Sequence, residues 1–180
     1  MPTRRRAMRA GPADRDGRIR ARNQAIILKA ARQIFAARGF DGTRIAGIAA
    51  ACGLPKANIY YYFESKERIY RAVIDELLAE WNRAFEHIAL DRDPAEAIAA
   101  YVRAKLAYSR DNPASSKIFA NENVRGARFL SRRDNQNIRR ITRQKARVVE
   151  AWIAAGKMRP VDPFHLDEDE HRSLAVREGL

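Results

Sequence analysis

The chain has 180 residues, of which 46% are hydrophobic and 32% charged, with a formal net charge of +13. That length fits one domain, or a small domain joined to a slightly larger one, and is enough to bury a core. Cys52 is the only cysteine, which excludes an internal disulfide framework and a cysteine metal cluster. No apolar run approaches membrane-spanning length, so no membrane partner is expected. The arginine-rich start lacks the apolar stretch of a secretory signal and contains no serine, which leaves the cytoplasm as the expected location. Strand-like alternation is missing, so the expected fold is all-α. A strongly basic balance points to nucleic acid or another anionic surface.

The charge is concentrated. Residues 1–22 hold eight arginines against two aspartates, and residues 123–147 hold eight arginines and one lysine against one aspartate. The first stretch reads as a basic arm, disordered off DNA and able to enter a minor groove. The second reads as a solvated or acid-paired helix face.

Gly42 to Lys66, GTRIAGIAAACGLPKANIYYYFESK, has the layout of a helix-turn-helix. Thr43 is expected to cap the first helix with its hydroxyl, and Ile45, Ile48 and Ala49 fall on one face. Gly53 suits the sharp turn and Pro55 the first position of the second helix. Ile59 and Phe63 would anchor that helix. Lys56, Ala57, Asn58, Tyr60 and Tyr61 are then free to face outward. Small Ala57 permits close approach to base edges. Asn58 can pair with an adenine edge, and Lys56 with guanine or phosphate. Tyrosine hydroxyls suit phosphate oxygens. Ser65 is expected to cap the next helix, where the amides and Lys66 would make a further phosphate site.

This segment, with AIILKAARQIFAARGFDGT (25–43) upstream and SKERIYRAVI (65–74) downstream, resembles the DNA-binding domain of the TetR family of bacterial transcriptional regulators. The resemblance implies a dimeric regulator, usually a repressor, that binds a palindromic double-stranded operator and is released by a small-molecule effector. It places DNA contacts on Thr43, Arg44, Lys56, Ala57, Asn58, Tyr60, Tyr61, Tyr62 and Lys66. Two positions depart from the family pattern: Pro55 stands where serine is usual, and Tyr62 where histidine is frequent.

Downstream, Ile69, Val73, Leu77, Trp81, Phe85 and Ile88 mark one long amphipathic helix. Asp93-Pro94-Ala95-Glu96 reads as a helix start, with Ile98, Tyr101, Val102 and Leu106 inward. Asn112-Pro113 ends that helix and begins another through Ile118, Phe119 and Val124, which Gly126 breaks. A last helix is expected over about Ser131 to Ala155, with Ile138, Ile141, Val148, Val149, Trp152 and Ile153 inward and Gly156 and Pro160 ending it. The stretches YVRAKLAYSRDNPASSKIF (101–119) and AWIAAGKMRPVDPFHL (151–166), together with Trp81, resemble the pyrimidine-utilisation regulator (RutR) subgroup of the same family. By type and place, Trp81, Tyr108, Phe119, Glu122, Asn123 and Trp152 are candidate liners of an effector pocket; core packing is the commoner role for residues so placed, and Glu122 and Asn123 stand out because a buried polar pair needs a partner that a ligand could supply.

These readings divide the chain into a basic arm (1–22), a helix-turn-helix head (23–70), a helical ligand and dimerisation domain (71–166) and an acidic tail (167–180). DEDEHRSLAVREGL, residues 167–180, stands where the family carries two apolar helices that form a four-helix dimer interface. The expectation is therefore an incomplete helical domain, a weakened homodimer, and partial exposure around Val148, Trp152 and Ile153. Enzyme chemistry is not indicated. His87, His165 and His171 lack metal-ligand spacing with one another or with Cys52, no glycine-rich loop follows a strand, and no cofactor is implied. Two functions remain: a ligand-responsive DNA-binding repressor, and a truncated or defective family fragment with a folded reading head acting through protein association.

Overall fold

The computed structural model describes residues 12–162, with side chains from Asp16 onward. The described residues are helical: α1 (Pro12–Arg38), α2 (Ile45–Cys52), α3 (Lys56–Tyr62), α4 (Lys66–Arg83), a 3-10 turn (Ala84–His87), α5 (Pro94–Asp111), α6 (Pro113–Val124) and α7 (Arg132–Ala154). The tail from 167 onward, with His165 and His171, lies outside the described residues, as do residues 1–11 of the arm.

One continuous core joins the head to the helices beyond it. Ile27, Ala31 and Phe35 of α1, Ile48 of α2, Ile59 of α3, Val73 and Leu77 of α4 and Ile118 of α6 meet there, each at most 1% exposed. Full burial of such an aliphatic side chain contributes about 1.5–3 kcal/mol. A smaller cluster joins Ile88 and Ala97 to Val149 and Trp152 of α7. Arg32 of α1 pairs with Glu76 of α4 at 2.7 Å and lies 3.7 Å from Glu80. That ion pair ties the two helices that run between head and helical domain.

Side-chain caps set the starts of α4, α5 and α7. Ser65 accepts from the Arg68 amide at 3.2 Å, and Asp93 accepts from the amides of Ala95 and Glu96 at 3.0 Å each. Ser131 and Asp134 form a reciprocal capping box at the start of α7. Gly53 sits at φ 67° between α2 and α3, a conformation costly to any residue with a Cβ. A Cβ on Gly42 would meet the Arg38 carbonyl oxygen at 2.5 Å, so only glycine lets the chain turn so close to the end of α1.

The structure corrects several expectations. Residues 12–22 of the arm are not disordered but form the first turns of α1. Thr43 does not cap α2: Arg44 holds the cap position without a side-chain bond. The Thr43 hydroxyl turns inward and donates to the Gly39 carbonyl at 2.7 Å. Pro55 occupies the cap position of α3, not its first turn. The long helix after Lys66 ends at Arg83 and tightens into the 3-10 turn, which still buries Phe85. Val102, Leu106 and Val124 are exposed, since α5 and α6 turn those faces away from the described core. Trp152 is 1% exposed, against the expectation of partial exposure, because Ile88 and Ala97 cover it. Val148 and Ile153 beside it are half-buried.

Candidate nucleic-acid interface and effector chamber

α3 has seven residues and one fully buried anchor, Ile59. With Ile59 buried and Tyr62 half-buried against the core, the other five residues are left to solvent. Lys56, Ala57, Asn58, Tyr60 and Tyr61 are all exposed, the last at 69%. Lys56 Nζ lies 5.8 Å from the Tyr60 ring centroid, and Tyr61 meets Tyr62 edge-on at 5.0 Å. The outward face of α3 therefore offers, in sequence, an ammonium, a methyl, a carboxamide and two phenols. Arg44, at the cap of α2, is exposed as well.

Three expected contact residues are placed differently. Thr43 is 2% exposed and its hydroxyl is committed to Gly39. Lys66 is half-buried: its ammonium donates to the carbonyls of Phe40 at 2.9 Å and Thr43 at 3.1 Å, and sits 4.2 Å from the Phe40 ring centroid. It binds the turn between α1 and α2 to the start of α4. Tyr62 is half-buried and its hydroxyl accepts from Asn23 Nδ2 at 2.7 Å. Thr43, Lys66 and Tyr62 thus hold the head's elements in register.

Sequence reading missed Asn23. A signal was present, since Asn23, Ile27, Ala31 and Phe35 recur every four residues and share one stripe of α1. Asn23 continues the buried stripe toward α3, and its polar head finds the only polar end Tyr62 has.

The six candidate effector residues do not form one site. Trp81, Tyr108 and Phe119 do meet: Trp81 stacks on Phe119 at 5.0 Å and meets Tyr108 edge-on at 5.7 Å. Lys105 Nζ lies 3.8 Å from the Trp81 centroid. A cavity of about 360 Å3 opens beside them, with Glu80, Trp81, Lys105 and Tyr108 among its walls. The Tyr108 hydroxyl donates to Glu80 at 3.0 Å; burial raises the phenol's pKa, partly offset by a hydrogen bond with Ser115, and the bond to Glu80 raises it further.

Glu122 and Trp152 lie elsewhere. Glu122 is buried, and its carboxylate accepts from the Tyr70 hydroxyl at 2.8 Å and from the Phe129 amide at 3.2 Å. Its partner is the protein, not a ligand. Trp152 belongs to the Ile88–Ala97 cluster. Asn123 is half-buried beyond Glu122 on α6.

A three-helix head whose second and third helices form the turn motif, fused to an α-helical body, defines a DNA-binding regulator. Two family models match: "Bacterial regulatory proteins, tetR family" over residues 27–73, and "YcdC-like protein, C-terminal region" over 74–167. The chain belongs to the TetR family and is a DNA-binding transcriptional regulator. It is 37% identical to the HTH-type transcriptional regulator RutR of Escherichia coli K12 over 148 residues, 82% of this chain and 69% of that one. It is 34% identical to the HTH-type transcriptional repressor NicS of Pseudomonas putida over 158 residues, 87% of this chain and 70% of that one. Among solved structures, the TetR family regulator PfmR of Thermus thermophilus superposes with a TM-score of 0.63 at 25% identity, covering 84% of this chain and 79% of that one. AibR, solved with isovaleryl coenzyme A and operator DNA, shares the fold with a TM-score of 0.62 at 21% identity, over 88% of this chain and 87% of that one.

Proposed function

We propose that the protein represses transcription by seating α3 in the major groove of a palindromic operator, and that a small effector in the Trp81 chamber releases it. Asn58 reads a base edge, with Lys56 on guanine or phosphate and small Ala57 allowing close approach. Arg44, Tyr60 and Tyr61 hold the phosphate backbone. The observation that carries this reading is the exposure of five groups on a helix held to the core by Ile59 and Tyr62. The functional split follows the head (23–70) and the helical domain (71–166). Regulators of this family are generally not enzymes, and the reading needs no catalytic group. Among the described residues no helix is long and apolar enough to cross a membrane.

A palindrome needs two heads about one helical turn apart, roughly 34–36 Å, so the active form is a homodimer. The effector is a planar polar molecule seated beside Trp81 and Lys105 and hydrogen-bonded at Tyr108 or Glu80. Pyrimidines are the first compounds to try, on the subgroup resemblance. The test is operator selection from a random duplex pool, followed by binding with and without each nucleobase. Selection of a palindromic motif supports the reading, and a chain that enriches no motif removes it.

A further inference from the structure

The first turns of α1 project beyond the core. From Asp16 to Arg22 every side chain is exposed, and the first fully buried residue of the helix is Ile27. A helical stretch that buries nothing is marginal by itself. Two of its contacts go to the reading helix. Asn23 donates to Tyr62 at 2.7 Å, and the Arg20 guanidinium lies 5.6 Å from the Tyr61 ring centroid. Arg20, Asn23 and Ile27 are spaced i, i+3, i+7, so Arg20 lies on the side of α1 that faces α3. Arg22, two residues on, points roughly 200° away around the helix.

We propose that these exposed turns of α1 are a second DNA-contacting surface, with Arg20 as a phosphate ligand flanking the groove that α3 reads. The inference rests on the DNA-binding reading of α3 and adds a partner surface to it. Tyr61 is 69% exposed at the end of α3, so a guanidinium over its ring stands at the same surface as its phenol. A guanidinium held over a ring can still fork its N–H edge onto phosphate oxygens. The Asn23–Tyr62 bond sets the rotation of α1 and so the side on which Arg20 emerges. The DNA backbone is the partner because the stretch carries Arg18, Arg20 and Arg22 against Asp16 and adjoins a helix already directed at DNA. The helix, rather than a flexible chain, makes the contribution depend on position as well as charge.

The test uses the full chain and its selected operator across a salt series. Arg20→Ala is expected to weaken binding several-fold at low salt and to flatten the salt dependence by about one unit of slope. Arg22→Ala should cost clearly less. Ala21→Pro keeps every charge but removes a helical N–H and clashes with the carbonyl of residue 17. It should weaken binding at least as much as Arg20→Ala. Gly17 has no atom within 4 Å of an added Cβ, so Gly17→Ala should stiffen the turns and tighten binding. Unchanged thermal melting in all four variants separates these effects from loss of fold. Equal losses for Arg20→Ala and Arg22→Ala, with a neutral Ala21→Pro, would overturn the proposal in favour of a flexible polycation. A wild-type chain that binds its operator while none of the four variants differs would overturn it and leave the reading of α3 intact. A wild-type chain that selects no operator overturns both.

Discussion

The Tyr70 hydroxyl on α4 donates a 2.8 Å hydrogen bond to the Glu122 carboxylate on α6, with both residues buried. The second carboxylate oxygen takes the Phe129 amide, and the Glu122 carbonyl takes the amide of Ala127, which is held at φ 55°. Phe129 packs at 4.9 Å from Tyr70 and 4.4 Å from Phe40. Arg125 reaches Asp41 at 2.9 Å across the outside of the same joint. Through these bonds the end of α6 is attached to the turn that precedes the helix-turn-helix. A shift of α6 has a direct route to the reading head.

Tyr70→Phe should therefore destabilise the whole chain. It leaves a buried carboxylate with one neutral donor in place of two, a loss of about 1–3 kcal/mol. Chemical denaturation measures it. Glu122→Gln in the Tyr70→Phe background should recover part of the loss, because the uncompensated charge is then gone. Additive losses would mean that the two groups do not act as a pair.

The same pair predicts alkaline sensitivity. Burial, then the bond to Glu122 and its charge, raises the Tyr70 pKa well above its ordinary value near 10. The folded state thus holds the proton more tightly than the unfolded chain. The stability it contributes is complete below about pH 10 and is lost progressively as the pH climbs above that value. Stability measured from pH 8 to 11 should fall in wild type, and less steeply in Tyr70→Phe. Parallel curves would assign the alkaline loss to other groups.

Lys66 holds the turn between α1 and α2 through two backbone carbonyls. Lys66→Met should lower stability by about 1.5–3 kcal/mol, the range for bonds to a charged group. Its effect on DNA binding should follow from a loosened head. A variant as stable as wild type but weaker on every duplex would restore Lys66 to the phosphate contacts.

In the Trp81 chamber, a bound planar effector should change tryptophan emission. Trp81→Leu should abolish that change, whereas Trp152, buried in the separate cluster, should not report it. Release of DNA by the effector should correspond to a coupling of about 1–3 kcal/mol. Binding seen by calorimetry that survives Trp81→Leu would place the effector elsewhere.

The parts legible in the sequence were those with local chemistry. Ser65, Asp93 and the Asn112-Pro113 step announce helix ends through side chains that satisfy nearby amides or forbid continuation. Gly53 announces the turn because few other residues take its backbone. The outward face of α3 was legible because Ile59 marks the side that enters the core, which leaves Lys56, Ala57, Asn58, Tyr60 and Tyr61 outside it. What depends on distant partners was not. Thr43 has the hydroxyl of a cap but turns to Gly39 because the tight turn at Gly42 brings that carbonyl within reach. Residues 12–22 have the composition of a solvated tail, and from Asp16 to Arg22 every side chain is exposed, so no periodicity marks them as helix. Val102 and Leu106 have the right spacing for a buried face, but nothing in spacing says which side of α5 meets the body. Glu122 reads as a ligand-seeking acid until Tyr70, 52 residues earlier, is placed beside it.

Base reading by α3 is measured by single-base substitution of the selected operator. Wild type and Asn58→Ala should be measured against every one-base variant at a fixed salt concentration. Wild type should lose about 1–3 kcal/mol at the base pair Asn58 contacts. Asn58→Ala should bind that set of variants nearly equally while keeping its preference at the other positions. An unaltered preference at every position in Asn58→Ala, with the same affinity for the selected operator, would contradict the placement of α3 in the groove.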